Sequence, residues 1–379
     1  MSTSGLSIVF LIRSLNYGGA ERQLIQLAKG LHRRGHSVLV AVSYDEGPLL
    51  AELRAIGISV AVLAKRGRGD VVRYFWRLAS LVRKVRPHVL YSFLVEPSLQ
   101  AVALKPLVSR TLIVWGVRAS SVHREGYGWF PRVTFCASRY LARFADLIIA
   151  NSFAGAAYHR AQGYPARKIT VVPNGIDLQR FRPDANARRR VRIAWQVPER
   201  STVIGAVARL DPLKDHWTLL EAAASVLNNQ PDVFFVCVGD GPTAYRSALE
   251  ARAALLRISQ RVIWVGTQEE MAAVYNGFDV CCSSSTSEGF SNVLGEAMAC
   301  GVPCVATDVG DALRIIDACG VIVPPKDPAR LAQGILQALR RLSLDWKLAC
   351  RKRIEDQFSM EQMVDRTERL LRVQVDAHL

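Results

Sequence analysis

Continuous apolar runs alternate with segments of helical spacing along the whole chain. In the first half the runs lie at 7–12 (SIVFLI), 37–43, 58–63, 88–94, 111–115, 146–150 and 169–172. In the second half they lie at 202–208 (TVIGAVA), 233–238 (VFFVCV), 261–265, 279–282, 302–306 and 320–323. Each run predicts a strand that is apolar on both faces. Helical patterns fall between them, among others at 19–34, 70–86, 215–228, 243–257 and 291–299. This alternation predicts parallel sheets covered by helices on both sides. A dozen or more strands exceed an ordinary doubly wound sheet, so the pattern predicts two α/β domains in tandem. The break falls in VVPNGIDLQRFRPDANARRRVR, where a strand ends at Val172 and Pro173-Asn174-Gly175 turn the chain before a polar, Arg-rich stretch. The expected domains are 1–177 and 178–357. The tail, 358–379, spaces Phe358, Met363, Leu370 and Val373 as a helix that either returns to the first domain or caps the second.

Composition narrows the class. The 379 residues are 50% hydrophobic and 22% charged, with mean hydropathy +0.12. That is a globular balance, and it excludes a disordered chain. No run approaches the ~18 apolar residues of a membrane span. The start, MSTSGLSIVFLIRSLNYGG, lacks the form of a secretory signal, so a cytoplasmic location is expected. Eight cysteines show no metal-type pairing, and several sit in apolar runs, which predicts buried, reduced thiols.

Charge divides the chain. Residues 1–180 hold 25 Lys/Arg against 9 Asp/Glu, whereas 181–379 hold 24 of each. The whole excess of +16 therefore lies in the first half. An even basic bias would not produce this, so an anionic partner for the first domain is expected. The segment VVRYFWRLASLVRKVR at 71–86 suggests where. It spaces Val71, Phe75, Leu78, Val82 and Val85 as one stripe, ringed by Arg73, Arg77, Arg83, Lys84 and Arg86 and preceded by Arg66 and Arg68. The stripe is what any crossover helix needs to pack on its sheet. The cations, with Tyr74 or Trp76, would then meet an anionic membrane surface. Nucleic acid is not expected, because no interleaving of aromatic and basic residues marks a reader.

Motif searches exclude several chemistries. A phosphate loop of the G-x-x-x-x-G-K-[ST] type is absent, as are H-E-x-x-H and G-x-S-x-G. GDGPTA at 239–244 ends in alanine where a dinucleotide fingerprint needs glycine. No D-x-D occurs, so any diphosphate must be met by cations and helix N-termini rather than by a carboxylate-held metal.

Three segments carry positive signals. Gly18 and Gly19 follow the first strand and open an amphipathic helix with Glu21 in its first turn, which suits close approach of an anion. Arg209 and Lys214, in ARLDPLKDH, stand just past a strand's carboxyl end, where open α/β sheets bind ligands. The strongest is SEGFSNVLGEAMACGVPCVATDVG at 287–310. Its helix should begin near Ser291 or Asn292, leaving Glu288 on the loop and Glu296 on the second turn. The amides of Phe290, Ser291 and Asn292 form a mouth between the two carboxylates. Such a mouth suits a ligand with phosphate in the middle and hydroxyls at both ends.

The pattern E-x7-E, Glu288 to Glu296, with GFSNVLGEAMACG and preceded by ARLDPLKDH and VGDGP, resembles the retaining GT-B glycosyltransferases of family 4, group 1. VVPNGID at 171–177 and Gly18-Gly19-Ala20-Glu21 are similar to that family's interdomain and amino-terminal motifs. The resemblance covers essentially the whole chain. It implies two Rossmann-like doubly wound domains facing a central cleft, the first for acceptor and the second for a UDP- or GDP-sugar, without a metal cofactor. By the same resemblance Arg209 and Lys214 neutralise the diphosphate, Glu296 holds the ribose and Glu288 the transferred sugar. Phe290–Asn292 support phosphate or sugar, and Trp264-Val265-Gly266-Thr267 touch the base. The acceptor would be lipid-linked or a polysaccharide, in cell-surface glycan synthesis at the inner face of the membrane.

The chain departs from the family at one place. Many relatives carry a histidine where IVWGVRASSVH places Arg118, and His123 lies five residues on. An arginine stays protonated and cannot be a general base, but it can stabilise a departing phosphate. Two alternatives fit the same residues, a GT-B nucleotide-sugar epimerase and a catalytically inactive nucleotide-sugar-binding relative.

Overall fold

The computed structural model describes residues 5–16, 18–45, 47–67, 69–118 and 129–378, with 129–132 as backbone alone. Among the described residues, thirteen strands form two parallel sheets. The first sheet comprises β1 (Ser7–Ile12), β2 (Ser37–Val42), β3 (Ser59–Val62), β4 (Val89–Phe93), β5 (Leu112–Val117), β6 (Leu147–Ala150) and β7 (Ile169–Val171). The second comprises β8 (Thr202–Val207), β9 (Val233–Val238), β10 (Val262–Gly266), β11 (Val280–Ser283), β12 (Cys304–Thr307) and β13 (Gly320–Val323). Every one falls within a residue or two of an apolar run.

The runs are continuous because both faces of each sheet are buried. In β1, Ile8, Phe10 and Ile12 enter one core while Val9 and Leu11 enter the other. The order of the first sheet is β3-β2-β1-β4-β5-β6-β7 and that of the second β10-β9-β8-β11-β12-β13. In each sheet the order reverses once, between β1 and β4 and between β8 and β11. Ligands of open parallel sheets bind beyond the strand ends at such reversals. Every candidate residue on a loop or helix start after β1, β5, β8, β10 or β11 therefore lies at the carboxyl edge of its sheet.

The chain divides into two compact units, 1–175 with 360–379, and 176–359. In the second, Gly205 of β8 gives its missing side chain's space to Phe278, whose ring would lie 2.2 Å from an added Cβ. Arg192, almost wholly buried, holds Asp279 at 2.5 Å, and Asp279 also accepts the Val203 N–H at 2.8 Å.

In the first unit the terminal helix, Met360–His378, packs on the helix Gly19–Arg33. Gly30 permits the approach, since a Cβ there would come within 2.3 Å of Val364. The buried stripe is Met363, Val364, Thr367, Leu371 and Val375, in steps of about four. The expected stripe is thus corrected. Val373 faces solvent, and Phe358 precedes the helix and lies in the second unit against Phe290. The steps of five, seven and three used for it drift around a helix of 3.6 residues per turn.

Glu368 fixes this helix at its solvent edge. It accepts from Arg34 at 2.8 Å and Arg372 at 2.9 Å, with His36 Nε2 at 3.0 Å. His36 Nδ1 accepts the Leu6 N–H, so Nε2 carries the proton. Burial opposes ionisation of Glu368, but these donors outweigh it and hold its pKa down at about 2, against an ordinary 4.5. A depressed carboxylate contributes stability that is complete above its unfolded pKa and lost as pH falls through its folded value. Stability should therefore fall between pH 4.5 and about 2. Glu368→Gln should flatten that part of the profile in acid denaturation, and an unchanged slope would remove Glu368 from the cause.

Candidate functional site

In the second unit the loop after β8 is shaped by its own aspartates. The Asp211 carboxylate accepts the Leu213 N–H at 2.9 Å and starts the short turn Pro212–Lys214. Asp215 then takes the left-handed conformation, φ 48°, and caps the helix His216–Asn229 by accepting from Thr218 N at 3.2 Å and Thr218 Oγ1 at 2.7 Å. Between these two anchors stands Lys214, whose ammonium pairs with Glu288. The Ser285 hydroxyl donates to the same Glu288 oxygen at 2.8 Å.

The loop after β11 is stitched to the loop after β8 through its serines and threonine. Ser284 Oγ donates to Lys214 O at 2.8 Å, and Thr286 N to Leu213 O at 2.8 Å. Glu288 is further held by the close approach of Gly310. With φ 60°, Gly310 would place a Cβ 2.4 Å from Gly289 O and 2.5 Å from Glu288 O, so only glycine fits. Lys214 and Glu288, 74 residues apart, thus meet at the strand-order reversal of the second sheet.

The helix Asn292–Ala299 follows directly. Ser291 is its N-cap residue but makes no side-chain cap. Phe290 is buried, its ring edge-on to Phe358 at 5.5 Å. Glu296 lies half-buried on the second turn and accepts from the fully buried Tyr275 hydroxyl at 2.7 Å. Arg209 projects into solvent, 79% exposed, with Asp211 at 3.7 Å. Thr267 is exposed just past β10. Arg209, Lys214, Thr267, Glu288, Phe290, Ser291, Asn292 and Glu296 are therefore all carried by the carboxyl edge of one sheet.

In the first unit Gly18 is the N-cap residue of the helix Gly19–Arg33. A Cβ on Gly18 would lie 2.1 Å from Glu21 Oε2, so the glycine lets this carboxylate fold over the helix start. Burial raises the Glu21 pKa, opposed by a hydrogen bond from its own N–H. From the same helix, Gln23 holds both backbone groups of Gly175, donating at 2.9 Å and accepting at 3.1 Å. The neighbouring Asn174 accepts from Arg118 Nη1 at 3.0 Å. Arg118 also lies over the Phe93 ring at 4.2 Å, with the Tyr91 hydroxyl at 3.4 Å from Nη2. Burial pushes its pKa below the ordinary arginine value, and Tyr91 partly offsets this. It nonetheless remains a cation, and among the described residues no carboxylate pairs with it. His123 lies outside the described residues.

No group of three or more His, Cys, Asp or Glu among the described residues is placed to hold a metal ion. All eight cysteines are free; seven are buried, while Cys136 is exposed, unlike the expectation for the set. Tyr275, Ser285, Tyr91 and Asn174 were not singled out by sequence. Asn174 alone had a signal, its place in the Pro-Asn-Gly turn; the other three sit in apolar or serine-rich stretches that read as strand, helix or loop.

Two Rossmann-like units with charged loops at their strand-order reversals define the GT-B class. Anabaena Alr3699/HepE, in a crystal structure with UDP, shares the fold at a TM-score of 0.85, with 23% identity over 97% of this chain and 100% of that one. Residues 17–180 match the family described as Glycosyltransferase Family 4, and residues 201–341 the one described as Glycosyl transferases group 1. The chain belongs to this family of group 1, family 4 glycosyltransferases. EpsF of Bacillus subtilis (strain 168), assigned as a glycosyltransferase, is 23% identical over 81% of this chain and 80% of its own length. A D-inositol 3-phosphate glycosyltransferase of Geodermatophilus obscurus is 36% identical over 62% of this chain. That alignment spans 54% of the relative.

Proposed function

We propose that the protein is a retaining, metal-independent glycosyltransferase. It moves a sugar from a UDP- or GDP-sugar to a lipid-linked or polysaccharide acceptor, in cell-surface glycan synthesis at the inner face of the membrane. The carrying observation is the meeting of Lys214 and Glu288 beside the helix that bears Glu296. A cation and two carboxylates around a helix N-terminus match a ligand with phosphate at its centre and hydroxyls at both ends. The UDP and UDP-glucose complexes of the Anabaena relative support a nucleotide sugar as that ligand.

In this reading Lys214 and Arg209 meet the diphosphate, and the Phe290–Asn292 amides support it. Glu296 takes the ribose and Glu288 the transferred sugar. These contacts gain most as the anomeric C–O bond to the diphosphate breaks and charge grows on the leaving oxygen. The acceptor oxygen bonds to the anomeric carbon on the same face, and its proton passes to the departing phosphate oxygen. Arg118 serves as a fixed cation for phosphate rather than as a base. The first unit receives the acceptor, and Gly18 and Gly19 at its helix start belong to the donor-binding set.

The test is release of nucleoside diphosphate from a panel of nucleotide sugars, with and without acceptors, in EDTA. Acceptor-dependent release undiminished by EDTA is expected. Release that stops in EDTA and returns with Mg²⁺ or Mn²⁺ would reject metal independence. Binding with no turnover on any acceptor would favour an inactive relative.

A further inference from the structure

Glu296 is not presented by its helix alone. Tyr275 lies on the short helix Met271–Asn276, fully buried between two rings, Phe181 at 5.9 Å and Phe278 at 6.1 Å, both edge-on. Its hydroxyl donates to Glu296 Oε2 at 2.7 Å. Aromatic packing on both sides leaves this hydroxyl no second position. Burial and the Glu296 carboxylate raise the phenol's pKa well above its ordinary value, so the group is a permanent donor. One carboxylate oxygen is thereby engaged from inside the unit, while Glu296 stays half-exposed.

We infer that Tyr275 is a positioning residue for the donor site. It holds the Glu296 carboxylate in the rotamer that reads the ribose hydroxyls of the nucleotide, and so sets the preference for ribonucleotides. This rests on the reading of the second unit as the nucleotide-sugar-binding unit. Without the tyrosine donor, the Glu296 carboxylate loses the bond that fixes this oxygen from inside the unit, and its bonds to paired hydroxyls bear more of the ordering cost at each binding event. Hydrogen bonds to charged groups are among the strong ones, so the loss is measurable.

The experiment measures binding of UDP, GDP and their 3′-deoxy counterparts to the full chain, as wild type, Tyr275→Phe and Glu296→Ala. The wild type should prefer the ribonucleotide by about tenfold or more. Tyr275→Phe, which keeps the ring and its packing, should lose most of that preference, approach Glu296→Ala and leave the Tm nearly unchanged. With a turning-over donor, KM should rise while kcat at saturation stays close to wild type. Equal weakening of ribo- and deoxynucleotides in Tyr275→Phe would assign the tyrosine a purely structural role and overturn the inference. A wild type that binds UDP or GDP without preferring the ribose would also overturn it while leaving the donor reading intact. A wild type that binds neither nucleotide would sink the donor reading itself, and this inference with it.

Discussion

Lys214→Ala and Glu288→Ala should each lower turnover by ~10²–10³, the cost of removing one contact to developing charge in a preorganised site. The loop that carries Lys214 is held by Asp211, which accepts the Leu213 N–H, and by Asp215, which accepts the Thr218 N–H, so the alanine variant keeps the loop geometry. Glu288 lies on a loop fixed through Ser284, Thr286 and Gly310, none of which needs its carboxylate. Both variants should therefore fold with Tm values near wild type. Because the two side chains touch, their effects should not add: the double variant should lose less than the product of the two single losses. Steady-state rates of diphosphate release decide the matter. Near wild-type turnover in either single variant would remove that residue from the mechanism, and additive losses would mean the pair acts as two independent contacts.

How much of this could be read from the chain differs by element. The strands were legible because a parallel sheet covered on both faces demands uninterrupted apolar runs, and Val9 and Phe10 fill opposite cores from adjacent positions. The helix Asn292–Ala299 was legible because small residues and a glycine loop surround its start. Its partner loop was not. Nothing in ARLDPLKDH says that Lys214 meets Glu288, since the pairing follows from β8 and β11 being neighbours in the sheet although two strands, β9 and β10, separate them in sequence. Tyr275 reads as one more aromatic in an apolar helix, and its hydroxyl gains meaning only when Glu296 is opposite. The terminal helix was recognised, but its register was misjudged. A stripe chosen from the most apolar residues took Val373, whereas packing chose Thr367, whose small side chain fits the interface.

The first unit should bind vesicles that contain anionic lipid, and burial on its helix Val71–Val85 changes which side chains are available for that contact. Tyr74 is not available to a membrane: it is buried, bonded to Ser43 at 2.9 Å and Gln100 at 2.7 Å. Val71 is not part of the inner stripe, which consists of Tyr74, Leu78, Ala79 and Val82. Instead Val71, Val72 and Trp76 are exposed, at 58%, 68% and 55%. Val72, Trp76 and Arg83 fall on one outward face in steps of four and seven, with Arg73 and Lys84 exposed alongside. Arg77 is spent on Asp70. No helix among the described residues is long and apolar enough to cross a membrane, so any attachment through this helix is peripheral. An exposed tryptophan and two valines amid cations suit the interface of an anionic bilayer. The unit as a whole carries 27 Lys/Arg against 12 Asp/Glu, a net charge of +15 that extends the attraction beyond the helix. Each cation near such a surface contributes about 1 kcal/mol. Reversing Arg73, Arg83 and Lys84 to glutamate together should therefore weaken partitioning by about a hundredfold or more. Trp76→Ala should weaken it less and leave the salt dependence unchanged, because it removes burial and not charge. Co-sedimentation with phosphatidylcholine vesicles, with and without phosphatidylglycerol, at low and high salt, reads both effects. Binding should require the anionic lipid and fade with salt, since screening confines the field to ~10 Å at 0.1 M. Equal pelleting with neutral vesicles, or a triple variant that binds as well as wild type, would reject this face as the contact.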